Sequence, residues 1–313
     1  GSEMCIRDRE GKVVEEWVSK KEAHVVYALA PGEYILHEEQ APTEQGYVRA
    51  EDVKFVVEET VDVQKVKMED DHTKVSISKT DITDGKEIEG AKLQILDQDG
   101  EVVESWTTGE EHLIEYLPVG TYTLHEEAAV DGYIVANDVE FTVEETGEIQ
   151  KVKMEDERAM GQLVIVKTDT DSKAALEGVE FVLLEKETGE EVGRLKTGKD
   201  GKAVSELLPI GTYKNGVFKE PITYVLKETA TLKGYEKTEE EWEIVFTYQN
   251  DKTPVIEVVK EIQNKKIPET PGTVKPGPKT GDDTNWFLPL LALGVSAGMV
   301  AGLLYYRKRH KKA

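Results

Sequence analysis

Val75-Ser76-Ile77-Ser78-Lys79 decides the fold, because apolar and polar side chains alternate in it with a period of two. The same alternation returns in Tyr122-Thr123-Leu124-His125-Glu126 and in Val152-Lys153-Met154-Glu155-Asp156. Strand side chains point to opposite faces in turn, so residues of equal parity share a face and the apolar parity marks the core. Asp-Gly steps at 84–85, 99–100 and 131–132, and Pro118-Val119-Gly120, punctuate these runs with turn residues. Short alternating strands separated by turns, with few helical stretches, predict an all-β chain built of Ig-like β-sandwiches.

Working outward, the runs recur. Residues 11–17 (GKVVEEW) match 100–106 (GEVVESW), 34–39 (YILHEE) match 122–127 (YTLHEE), and 63–70 (VQKVKMED) match 149–156 (IQKVKMED), the last pair at an offset of 86. A more divergent third copy begins at Gly161: 164–169 (VIVKTD) answer 77–81 (ISKTD), 208–213 (LPIGTY) answer 117–122 (LPVGTY), and 224–228 (YVLKE) answer the YTLHE run. The expected organisation is therefore repeat one at 10–71, repeat two at 72–158 and repeat three at 159–267, stacked in tandem. Repeat one reads as truncated, lacking the counterpart of 74–97. Residues 1–9 break the pattern and read as a non-native prefix on a fragment whose native start and export signal are missing.

Each apolar row ends in an ionisable or amide side chain on the inward parity. In repeat two Val75 and Ile77 lead to Lys79, Tyr122 and Leu124 to Glu126, and Val152 and Met154 to Asp156. In repeat three Leu163 and Ile165 lead to Lys167, Tyr224 and Leu226 to Glu228, and Val258 and Ile262 to Asn264, with Lys260 interrupting the last row. An isolated buried charge is costly, so these residues either converge and pair or end their strands in water at Lys-Thr-Asp turns. Convergence would permit chemistry. Desolvation makes a lysine amine neutral and a carboxyl protonated, and a central Glu can then polarise the Asp or Asn carbonyl and move protons as an amide forms. Such an isopeptide bond would staple first strand to last in a chain whose single cysteine, Cys5, allows no internal disulfide.

The motif YxLxE followed by GY, at 122–133 and 224–235, resembles the E-box of Cna B-type domains, the prealbumin-like (SpaA-type) repeats of Gram-positive pilins and adhesins. The likeness extends over 10–267. It implies prealbumin-like sandwiches, a Lys79–Asp156 isopeptide bond assisted by Glu126, and a Lys167–Asn264 bond assisted by Glu228. Glu38 and Asp70 match in repeat one, but the matching Lys would precede residue 1, so they are expected to stay unpaired. Glu39 and Glu127, adjoining the chosen glutamates, have the wrong parity.

The C-terminal composition differs. Residues 268–285 form a Pro-rich linker, and 286–306 run for 21 residues without a charge, about 31 Å as a helix, enough for one transmembrane span. Trp286, Phe287, Tyr305 and Tyr306 suit the two interfaces, and the basic tail 307–313 suits a cytoplasmic end with the repeats outside. Pro278-Lys279-Thr280-Gly281-Asp282, followed by the apolar span and basic end, resembles an LPxTG-type sorting signal, with Gly277 in the Leu position. The resemblance implies sortase as a partner, cutting after Thr280 and joining it to peptidoglycan or another pilin subunit, with membrane attachment only before sorting.

Composition and motifs bound the rest. A net charge of −24 argues against nucleic acid as a partner. HExxH, P-loop and GxSxG motifs are absent, and the pairs His24/His112 and His37/His125 recur as structural positions do, so the chain is not expected to be an enzyme. Asp97-Gln98-Asp99-Gly100 reads as a turn and not a calcium loop, so no metal and no cofactor are expected. The leading expectation is a wall-anchored stalk on a Gram-positive cell surface. The alternatives are repeats that themselves bind a host or matrix ligand, and a membrane-retained protein that sortase does not process.

Overall fold

The computed structural model describes residues 1–268. The linker beyond 268, the sorting motif Pro278–Gly281, the apolar span 286–306 and the basic tail all lie outside the described residues. Within them the secondary structure is strands, apart from one 3₁₀ turn at Thr43–Gln45.

Repeat two is a two-sheet sandwich. One sheet has Lys74–Asp81 at its centre, flanked by His112–Glu115 antiparallel to it and Ile149–Arg158 parallel to it, with Tyr133–Ile134 beyond. The facing sheet is ordered Val139–Val143, Gly120–Ala128, Lys92–Leu96, Val102–Thr107. The core between them is made by the residues the alternation selects: Val75, Ile77, Leu93, Ile95, Leu124 and Met154 are buried. Repeat three repeats the plan. Its first strand, Met160–Asp169, runs parallel to its last, Val255–Asn264, over ten registered positions, and Glu180–Glu185, Glu191–Lys196, Thr223–Ala230 and Glu241–Val245 make the facing sheet. Lys260 stays in its inward row because its ammonium lies 5.8 Å over the Trp242 ring, a cation–π contact that keeps the charge from sitting bare against the core.

Repeat one corrects two expectations. Residues 3–8 are not a separate prefix, since Glu3–Asp8 is a strand paired on one side with Val13–Val18 and on the other with Gly32–Gln40, and Met4, Cys5 and Ile6 are buried. It stands where Lys92–Leu96 stands in repeat two. The turn after it is the same device: Asp8 Oδ1 accepts the amides of Glu10 and Lys12, as Asp97 Oδ1 accepts those of Asp99 and Glu101. Residues 3–8 therefore answer 92–97. Of the sheet that Lys74–Asp81 centres in repeat two, repeat one shows the pair Tyr47–Val48 and Asp71–His72, while residues 24–27 and 63–70 belong to no strand, although they match His112–Glu115 and the first part of Ile149–Arg158.

Other repeated features are local. A tyrosine hydroxyl at the head of each E-box strand donates to a carbonyl behind it: Tyr34 to Ala30, Tyr122 to Pro118, and Tyr224 to Pro209. Ala28 and Tyr116, at matching places, both take a left-handed backbone, φ 58° and 61°. Between repeats two and three, Arg158 donates to Asp81, which also accepts from Tyr133, while its guanidinium lies 4.1 Å over Tyr213.

Candidate functional site

The structure brings the six predicted residues of repeats two and three together in two buried clusters of matching form. The lysine comes from the first strand, the Asp or Asn from the parallel last strand, and the glutamate from the facing sheet. Register sets this. Lys79 pairs across with Met154 and Asp81 with Asp156, so Lys79 and Asp156 share the inward face two positions apart; Lys167 with Ile262, and Asp169 with Asn264, reproduce it. Each glutamate sits beside a β-bulge: Leu93 pairs with Glu126 and Lys92 with Ala128, while Phe181 pairs with Glu228 and Glu180 with Ala230. The bulge skips Glu127, which is exposed, and leaves Glu126 pointing into the core.

In repeat two Lys79, Glu126 and Asp156 are each at most 2% exposed. The Lys79 ammonium contacts Asp156 Oδ1 and lies 2.9 Å from Glu126 Oε2, which also accepts the Ala136 amide at 2.6 Å. Burial pushes the Asp156 carboxyl up to about 7, against the pull of the Lys79 charge and with Glu126 adding to the rise.

In repeat three Lys167 contacts Asn264 Oδ1 and lies 3.1 Å from Glu228 Oε2. Asn264 Nδ2 donates to Glu228 Oε1 at 2.6 Å and to Thr231 Oγ1 at 2.7 Å. Desolvation lowers the Lys167 pKa, opposed by Glu228. One carboxylate thus bridges the amine and the amide nitrogen, and the Thr231 hydroxyl fixes which way the amide faces. Thr231 was not singled out from the sequence; its match in repeat two is Ala129, and that difference accompanies the change from Asp to Asn.

The Lys-Thr-Asp segments are not solvated turns. Asp81 is fully buried beneath Tyr133 and Arg158, and Asp169, 4% exposed, takes the Asp171 and Ser172 amides and the Ser172 hydroxyl, which hold its carboxyl down at about 2. The two remaining site residues are placed differently. Glu38 is fully buried and accepts the Ala50 amide at 2.6 Å, its other oxygen having no hydrogen-bond partner. Asp70 is half-buried and accepts from the Ser2 hydroxyl at 3.2 Å. The recurrent histidines take matching positions, His24 stacked on Trp17 at 4.3 Å and His112 on Trp106 at 4.4 Å, with His37 and His125 bonded to Asp52 and Asp138. No group of three or more His, Cys, Asp or Glu set to hold a metal occurs among the described residues.

The SpaA prealbumin-like fold domain matches the sequence three times, over residues 1–72, 73–158 and 161–220. The chain belongs to this family. The third match stops short of the strands Thr223–Ala230, Glu241–Val245 and Val255–Asn264, which complete the same sandwich. Among solved structures the chain is similar to the Bacillus anthracis TIE protein, with 27% identity and a TM-score of 0.52, covering 85% of this chain and 47% of that one. It thus spans about half the length of that relative. Weaker likenesses are to a streptococcal ancillary pilin (19% identity, TM-score 0.29, 77% of each chain) and to GBS52, the minor pilin of Streptococcus agalactiae (20% identity, TM-score 0.28, 65% of this chain and 100% of that one). No curated protein matches the chain.

Proposed function

We propose that this chain is a stalk segment of a Gram-positive surface protein, a pilin or an adhesin, in which repeats two and three each close on themselves through an isopeptide bond. The observation that carries the reading is the pair of buried Lys–Glu–Asp/Asn clusters, built alike on first strand, facing sheet and last strand. A stalk needs domains that hold their fold without internal disulfides, which the lone Cys5 cannot provide.

In repeat two the Lys79 amine, having given its proton to Glu126, attacks Cγ of the protonated Asp156. The Nζ–Cγ bond forms, the Cγ–OH bond breaks, the hydroxyl leaves as water on taking that proton from Glu126, and Glu126 takes the second proton that Nζ sheds as it becomes the amide N–H. In repeat three Lys167 attacks Cγ of Asn264, Glu228 takes the amine proton at Oε2 and delivers one from Oε1 to Nδ2, and ammonia leaves. The low-dielectric setting favours the neutral reactants over a buried ion pair. Each glutamate acts once per molecule and ends protonated.

On this reading the repeats stand outside the cell, and sortase, recognising 278–281, transfers the chain from the membrane to peptidoglycan or to another pilin subunit. Intact mass of the chain is the test. Loss of one water and one ammonia relative to the sequence is expected, and a mass equal to the unmodified sequence overturns the isopeptide reading.

A further inference from the structure

Glu126 is held at few points. Oε2 meets the Lys79 ammonium and the Ala136 amide, and Oε1 has no hydrogen-bond partner, so the one neutral donor that aims this carboxyl is a backbone N–H. That N–H ends the segment 132–136, which is held from outside repeat two. The Gly132 carbonyl accepts the Ala159 amide and the Tyr213 hydroxyl, each at 2.8 Å, the Tyr133 carbonyl accepts the Tyr248 hydroxyl at 2.9 Å, and the Val135 amide donates to the Asp251 carbonyl at 2.9 Å. Tyr213 stands on a hairpin, Gly211–Lys214 with Val217–Pro221, for which repeat two has no counterpart. A Cβ on Gly132 would lie 2.8 Å from the Tyr213 hydroxyl and from the Phe218 ring, so only glycine lets the hairpin come this close. Burial, with the charges of Asp251, Asp131, Asp156 and Glu126, raises the Tyr248 hydroxyl to about 12 and keeps it a donor.

The same device recurs one repeat earlier, at the offset of 86. The Gly46 carbonyl accepts the Thr73 amide at 2.9 Å, the Arg49 amide donates to Glu145 Oε1 at 3.3 Å, and the Ala50 amide donates to Glu38 at 2.6 Å. A Cβ on Gly46 would lie 2.3 Å from the Tyr116 backbone, so here too the following repeat packs on the glycine. Repeat three differs. Among the described residues nothing lies within 4 Å of a Cβ built on Gly234, and Gly234 and Glu236 bond to Ile267 and Lys265 of the same repeat. Glu228 Oε2 meets the Lys167 ammonium and no amide; Oε1 is held by the Asn264 amide, which Thr231 fixes.

We propose that repeat three positions the glutamate of repeat two: Tyr213 and Tyr248 fix the segment 132–136 so that the Ala136 amide aims Glu126 at Lys79 and Asp156, and the bond in repeat two closes at full rate only with repeat three docked. This rests on the isopeptide reading given above. The two tyrosines are positioning residues, acting through the backbone between them and Glu126. A carboxyl that takes a proton from Nζ and hands one to the leaving hydroxyl loses rate steeply when misplaced. Repeat three holds Glu228 through its own Asn264 and Thr231 and closes without help. Repeat two, the earlier in the chain, waits for its successor to fold.

The full chain, recovered unlinked in denaturant, is folded by dilution and followed by intact mass against time. Tyr213→Phe with Tyr248→Phe removes both hydroxyls and keeps both rings. Loss of water should slow by roughly tenfold or more, as two lost hydrogen bonds behind a positioned base imply, while loss of ammonia keeps the parental rate. Tyr224→Phe is the control for mere stability. It removes a hydroxyl bond of 2.7 Å to the Pro209 carbonyl inside repeat three, and loss of water should keep the parental rate. Water lost at the parental rate by the double variant overturns the proposal, and so does an equal slowing by Tyr224→Phe, which makes the effect one of stability alone. With water and ammonia both lost by the parent, either result refutes the positioning role and leaves the isopeptide reading standing. A parent that loses neither takes both down.

Discussion

Repeats one and two carry nearly the same residues at their E-boxes and last segments, yet repeat two builds two four-stranded sheets, and repeat one builds one together with the two-stranded pair Tyr47–Val48 and Asp71–His72. Repeat one buries three hydrophobic side chains in its core, Met4, Ile6 and Leu36, where repeat two buries ten. The residues 63–70 differ from 149–156 only in Val63 for Ile149, so local propensity does not decide whether they become a strand. The neighbour decides. In repeat two the last strand lies between a short edge strand and the first strand, where a two-sided ladder and a closed core offset the cost of ordering it. The facing sheet is independent of this, which is why Glu38 is as fully buried as Glu126.

Making repeat two resemble repeat one is the most severe test. Lys79→Ala should remove the lost water from the mass and leave the lost ammonia. It should also cost repeat two about 4–5 kcal/mol for the staple closing some 77 residues, on the chain-entropy model. Two buried acids without their cation add about 3 kcal/mol or more. Urea unfolding of the variant checks this, and a midpoint equal to that of the parent would count against any bond.

Glu126→Gln sharpens the comparison by keeping lysine and aspartate in place while stopping the reaction. Asp156 then still titrates. Burial still raises its folded value above the ordinary 3.8, by less than in the parent because Glu126 adds to the rise there, so the folded state holds the proton more tightly. The variant should be most stable below the ordinary value and lose up to a few kcal/mol as pH rises through the folded one. The linked parent, with no free Asp156 carboxyl, should lack that slope, as unfolding measured across this range would reveal.

Smaller effects separate repeat three from repeat two. Thr231→Ala removes the hydroxyl that accepts from the Asn264 amide, and release of ammonia should slow by roughly tenfold, consistent with one lost hydrogen bond of about 1.5 kcal/mol. Time-resolved intact mass of freshly folded protein gives the rate. Lys260→Ala, which removes the cation over Trp242, should cost only about 0.5–1 kcal/mol in thermal unfolding, with both mass losses intact.

Much of this site was readable from parity alone. Lys79, Glu126, Asp156, Lys167, Glu228 and Asn264 all lie on the face their apolar neighbours mark, and the same rule separates Glu126 from Glu127, as the bulge does. Three things were hidden. Residues 3–8 share little identity with 92–96, and only the turn aspartates Asp8 and Asp97 signalled that they fill the same place. Thr231 lies beyond the E-box, where no periodicity marks a hydrogen-bond acceptor. That 149–156 form a strand and 63–70 do not, though nearly identical, depends on pairing between segments distant in sequence, which no window of local pattern contains.

The parallel pairing of first and last strands also determines how a repeat bears load. In repeat two the chain enters along Lys74–Asp81 and leaves along Ile149–Arg158, side by side and in the same direction. A pull on the two ends therefore shears the ladder, loading its hydrogen bonds together instead of peeling them one by one. On the isopeptide reading, a Lys79–Asp156 bond makes the tension cross at that point, and the chain between them, with all the facing sheet, lies outside the path of the force. Such a segment transmits tension without lengthening.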